Sequence, residues 1–272
     1  MNNLSIKKLG GFCLIIGSLL SFIPFFLQIT LGGTPEEGTQ IFSFFANEVL
    51  NGNNSLLYPL LSSMGITFTI FGIYSLNSVL QKEKENALLS LGTFFIIIGS
   101  IGYLFAWSID YFIIWSDPLV ATNSYTLKMG LIILFGGINW GGVQTYASGI
   151  SIRKYINSSV SGITSAVAGL IVVIHVYTIF TLDPNSTNTI MPLFIGLSVG
   201  QLILTIFNIT LARKMITSWF ISVLIHGGGN IIRKINYLDL IIKKQIWIKI
   251  NVLTLLSYCY TNKQSNKGVH FE

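Results

Sequence analysis

Polar side chains stand inside long apolar runs, where few ordinary roles call for them, among them Asp110, Asn139, His175 and Ser198. His175 and Ser198 together have the composition of a base and a nucleophile. The segment Gly196-Leu197-Ser198-Val199-Gly200 also matches G-x-S-x-G. That motif works from a strand–turn–helix elbow, which an apolar helical run does not provide. An intramembrane serine hydrolase is therefore a minor reading, and no residue is assigned as catalytic. The alternative chemistry is binding. Asp110, Asn139, Gln144, His175, Ser198 and Gln201 are candidates for the wall of a polar cavity that takes a small solute, with His175 or Asp110 passing a proton, because ionisable groups inside a membrane mark such places. Each also has a plainer reading. Asp110 comes about 23 residues into its run, and a bilayer needs only about 20, so it could be a solvated acid at the membrane surface. His175 could be a neutral imidazole bonded to a neighbouring helix.

The elements that must position these groups follow from composition. Of 272 residues, 51% are hydrophobic and 10% are charged, against about 25% charged in soluble domains. Several apolar runs exceed the roughly 18 residues that cross a bilayer, and a chain this short could not bury them all in a soluble core. The expectation is an all-α membrane protein, a bundle of six transmembrane helices at about 9–31, 55–80, 87–115, 129–150, 159–182 and 190–211. Lys7 and Lys8 precede the first run, but that run is well beyond the roughly 7 to 15 apolar residues of a cleavable signal. Cys13 and Cys259 give neither a disulfide framework nor metal spacing. There is no H-E-x-x-H, P-loop or carboxylate pair, and only one histidine lies in a run, so no metal or cofactor is expected.

Charge orients the runs. One side collects Lys7, Lys8, Lys82, Lys84, Arg153, Lys154, Arg213 and Lys214; the other has only Lys128, beside Glu36, Glu37, Glu48, Asp117 and Asp183. The positive-inside rule places the N-terminus and the end of the six-span domain in the cytoplasm of a multi-pass cell-membrane protein. On that arrangement Asn139, His175 and Ser198 share a depth of roughly 10 to 15 Å below the outer surface, at 1.5 Å per residue.

A repeat underlies the order. Leu-Gly-Gly-Phe-Cys-Leu-Ile-Ile-Gly-Ser from Leu9 returns as Leu-Gly-Thr-Phe-Phe-Ile-Ile-Ile-Gly-Ser from Leu91. Gly10 and Gly17, Gly92 and Gly99, and Gly162 and Gly169 are each seven apart, on one helical face. Three helical hairpins, with these glycines and the G-x-x-x-G pair Gly137 and Gly141 packing helices closely, is the expected plan. The fourth run surrounds Asn139 and Trp140 with glycines; close packing competes there with an unwound, solute-binding helix. In the sixth, Ser198, Gln201, Thr205 and Asn208 make one polar stripe, which lipid cannot face. Ile41, Phe44, Phe45 and Val49 share one face of a short helix expected to lie in the outer interface, with a substrate lid as the other reading.

The domain of six spans is expected to cover 1–214. From 213 onward nine Lys or Arg meet two Asp or Glu, a balance of +7, whereas residues 1–212 come to −1. Two readings of the tail, 215–272, stand. It lies on the cytoplasmic surface in contact with anionic lipid, or it is an extension without function. No nucleic-acid motif accompanies the charge. The core resembles a widespread family of uncharacterised prokaryotic six-span membrane proteins in Lys8-Leu9-Gly10, in Phe45-Ala46-Asn47-Glu48 and in the cations that end the even spans. The resemblance implies the six-span plan over 1–214 and no activity. As to function, a small-solute transporter or sensor is set against a non-catalytic membrane subunit or scaffold; the partners are the bilayer and an unidentified small molecule or protein.

Overall fold

The computed structural model describes residues 5–31, 33, 35, 39–52 and 55–226. The expectations for 227–272 lie outside the described residues. Those described form seven α-helices and no strand: α1 (Ile6–Leu31), α2 (Ile41–Asn51), α3 (Leu57–Glu83), α4 (Ala87–Ile114), α5 (Pro118–Ile152), α6 (Ser158–Thr181) and α7 (Thr187–His226). All but α2 are long and apolar enough to cross a membrane, the architecture of a multi-pass membrane protein. Met1–Trp219 is one compact unit and Phe220–Glu272 a second; the bundle belongs to the first.

Local chemistry sets the helix starts. Asn86 accepts from the amides of Leu88 and Leu89 and begins α4, and Asn157 accepts from Ser159 and begins α6. Each satisfies donors that the first turn leaves unpaired. Pro118 stands at the first turn of α5 after Asp117, where its missing N–H is no loss. That start lies eleven residues before the expected Met129. The chain from Pro118 to Lys128 is helical despite its polar residues because their hydroxyls turn inward along the helix: Thr122, Ser124 and Thr126 each bond a carbonyl one turn back.

Glycines set the spacing between helices. A methyl carbon at Gly17 would come 2.6 Å from the Thr69 amide nitrogen and 2.7 Å from the Gly65 carbonyl oxygen, so α1 and α3 touch backbone to backbone. Gly92 meets the backbone of Tyr146 and Gly99 that of Asn139 in the same way between α4 and α5. Such contact substitutes for the hydrophobic drive that helices lack in lipid. In the third hairpin Gly162 has nothing within 4 Å, and Gly169 faces the side chain of Gln144 rather than α7. Around Asn139 the tight approaches fall on Gly136 and Gly142, while Gly137 and Gly141 make only ordinary contacts, at 3.6 and 3.9 Å. α5 passes through all four glycines unbroken.

α7 closes the bundle against α1. Asn208 donates to Ser18 across the two helices at 3.0 Å. A side chain at Gly10 would meet Met215, and one at Gly11 would meet Ala212 and Ile216. The packing of α7 on α1 therefore includes Met215 and Ile216. α2, the short helix expected in the outer interface, lays its apolar face on protein. Its buried face is Ile41, Phe42, Ala46 and Val49, and it rests on α5 and α4. Phe45 stacks on Tyr125 at 5.7 Å and meets Phe194 edge-on at 5.5 Å, and the Ile41 amide donates to the Pro184 carbonyl at 2.8 Å.

Candidate functional site

Beneath α2 the helices enclose a cavity of about 650 Å³, within the roughly 300 to 1,000 Å³ of small-molecule sites. Its wall is drawn from α1, α2, α3, α4, α5 and α7, with no residue of α6. The wall is mostly apolar and includes seven aromatic residues, among them Phe45, Tyr103, Trp107, Tyr125 and Phe194. Polar side chains are spread along its length, from Glu48 and Gln28 to Gln201, Asn139 and Asn208.

Among the described residues, the cavity's charged lining groups are Glu48, Asp110 and Lys128. Lys128 Nζ donates to Asp110 Oδ1 at 2.5 Å, and both side chains are only 2% exposed. The same ammonium lies 4.7 Å from the Trp107 ring centre and 5.1 Å from that of Tyr125. A carboxylate and two aromatic faces thus surround one cation, the arrangement that compensates an ammonium for lost water. Asp110 is therefore no solvated surface acid. The physical reason is α5, which begins early enough to raise Lys128 ten residues into its helix and set it opposite Asp110. The pairing follows the glycine register. Gly92 faces Tyr146 and Gly99, seven residues on, faces Asn139, seven residues back; eleven further along each helix stand Asp110 and Lys128. Lys128 carried a signal of its own, an opposite charge across a short turn, but an expected span starting at Met129 left it outside the membrane.

Asn139 lines the cavity and clamps α5 to α4 by donating to the Ile96 carbonyl at 3.1 Å and to Ser100 Oγ at 3.0 Å. Gln201, Thr205 and Asn208 line it from α7. The remaining expected residues lie elsewhere. Ser198 is one residue off the lining row, and its hydroxyl donates to the Phe194 carbonyl of its own helix at 2.7 Å. His175 is 1% exposed, with Nδ1 at 2.8 Å from the Ile171 carbonyl. Its Nε2 faces Gly136, where an added methyl carbon would come 2.5 Å from it and 2.8 Å from the Tyr103 hydroxyl. The imidazole thus stands behind the Tyr103 wall rather than in the cavity, and no hydrogen bond joins it to Ser198. Gln144 packs beside Gly169, and its carbonyl accepts from Ser148 and Ser165. The structure brings Asp110, Asn139 and Gln201 to one cavity, and places His175, Gln144 and Ser198 outside its wall.

No group of three or more potential metal ligands occurs among the described residues. No family model matches the sequence, and none of the characterised proteins or solved structures compared with it is similar.

Proposed function

We propose that this protein is a small-solute transporter or sensor of the cell membrane, with its solute held in the cavity beneath α2. The observation that carries this reading is the cavity itself: about 650 Å³, walled by five of the six long helices and furnished with polar side chains along its length and a buried ion pair. A scaffold has no need of such a space. Mostly apolar walls with a few placed polar groups are the general form of a solute site.

Native mass spectrometry of the protein released gently from detergent tests it. The expected result is a retained small molecule, lost when Gln201→Trp fills the cavity. Wild-type protein of bare mass that no member of a solute library stabilises against heat would refute the reading. Orientation belongs to the same proposal. Lys82, Lys84, Arg153, Lys154, Arg213 and Lys214 lie at the bundle end opposite α2, which supports a cytoplasmic position for that end. A reporter fused after Thr217 is expected to read as cytoplasmic and one in the 36–54 loop as external. We also propose a hairpin repeat, supported by the matched backbone contacts of Gly17 and Gly99. The expected role of the basic tail is contact with anionic headgroups.

A further inference from the structure

We propose that the solute is a lipophilic organic cation, an inference that rests on the cavity reading above. Among the described residues, the lining contains two carboxylates, Glu48 and Asp110, and one cation, Lys128. Lys128 is committed to Asp110 at 2.5 Å, so it offers no free site for an anion. Glu48 is exposed on α2 and has no ion-pair partner among the described residues. The described lining therefore carries one negative charge more than positive, and one bound cation completes the balance without breaking the existing pair.

The wall shows independently which chemistry it accommodates. Lys128 is an ammonium held against Trp107 and Tyr125. Phe45, on the same helix as Glu48, extends the aromatic surface through Tyr125 to Phe194. Ring faces attract cations whose charge is spread over an apolar body, because such cations surrender little hydration. The approach has the same sign. Among the described residues, the loops at the α2 end carry Asp117 and Asp183 and no lysine or arginine, and a mouth of one sign concentrates ions of the other.

Two probes of nearly one shape and opposite charge decide the matter: tetraphenylphosphonium and tetraphenylborate. Each is titrated calorimetrically into the full-length protein in non-ionic micelles, against protein-free micelles. The phosphonium is expected to bind more tightly than the borate. Glu48→Gln, an exposed substitution, is expected to weaken the phosphonium about three- to fivefold, the scale of one partly solvated charge pair, and to leave the borate unweakened. Glu48→Lys reverses the sign of the imbalance and is expected to reverse the preference. Size-exclusion profiles matching the wild type show that both variants remain folded. Equal binding of the two probes, a preference for the borate, or an unchanged ratio in both Glu48 variants overturns the cation assignment and leaves the cavity reading standing. Binding of neither probe, together with wild-type protein of bare mass, removes both.

Discussion

Removing one member of the Asp110–Lys128 pair should cost far more than removing both. Each side chain is 2% exposed. In Lys128→Met, Asp110 loses its 2.5 Å partner; in Asp110→Asn, the ammonium keeps only the ring faces of Trp107 and Tyr125. Leaving a buried charge uncompensated costs about 3 to 5 kcal/mol. The cavity on which both residues border can admit water to the orphan, so the lower end of that range, about 3 kcal/mol, is expected for each single variant. In the double variant neither charge remains, and methionine approximates the lysine stem; replacing a buried pair with neutral groups of similar volume is about neutral. The coupling between the two changes is then about 6 kcal/mol, well above the roughly 0.5 to 3 kcal/mol usual for neighbouring residues. Equilibrium unfolding in mixed micelles, with increasing denaturing detergent and helicity read by circular dichroism, measures all four corners of the cycle. Single variants each costing under about 1 kcal/mol, with additive effects, would mean that the pair behaves as a solvated surface contact, and the buried reading of Asp110 would fail.

Glycine positions offer a matched pair of tests. Gly99→Ala puts a methyl carbon 2.6 Å from the backbone of Asn139 and should destabilise by about 1 to 3 kcal/mol through overpacking, whereas Gly162→Ala, with nothing within 4 Å, should be neutral or gain up to about 1 kcal/mol of helix propensity; the same unfolding assay reads both, and equal effects would contradict the packing. Truncation locates the end of the bundle. A chain stopping after Trp219 should insert and stay folded, while one stopping after Lys214 loses Met215, buried against Gly10, and should be less stable by about 1 to 3 kcal/mol; equal stability of the two would return the boundary to Lys214. Phe45→Ala removes two aromatic contacts between α2 and the bundle, worth about 1 to 3 kcal/mol together, and should raise the rate at which a protease cuts the loop between α2 and α3.

The long helices were legible in the sequence because lipid imposes one rule, that every backbone group be satisfied within its own segment, and length with hydropathy reads it directly. The glycine pairs of the first and third runs were legible for the same kind of reason: a seven-residue spacing fixes a face whatever it packs against. What was not legible is which residues face one another. His175 and Ser198 share a depth, but depth says nothing of azimuth, and α6 turns the imidazole toward Gly136 instead of the cavity. Lys128 was placed outside the membrane because hydropathy begins the fourth span after it, whereas Pro118 begins the helix well before. α2 read as an interfacial helix because an amphipathic face looks alike whether it meets lipid or protein; its aromatic seat on Tyr125 and Phe194 could not be seen without their positions.

The turn between α4 and α5 carries a consequence for biogenesis. It is short, from Trp115 to Asp117, with Pro118 opening the next helix. A lone charge costs about 2.5 to 3.5 kcal/mol to insert at a helix centre, and Asp110 or Lys128 alone, nearer one end of its helix, would carry a smaller cost of the same sign. Entering together, they cross as one neutral pair in a register already set by Gly92 and Gly99. The two segments should therefore leave the translocon as a joined hairpin, not one after the other. Lengthening that turn by a flexible ten-residue linker should lower the yield of inserted protein in the wild type and leave it unchanged once both charges are removed, so that a feature of the finished fold also governs the order in which it is assembled.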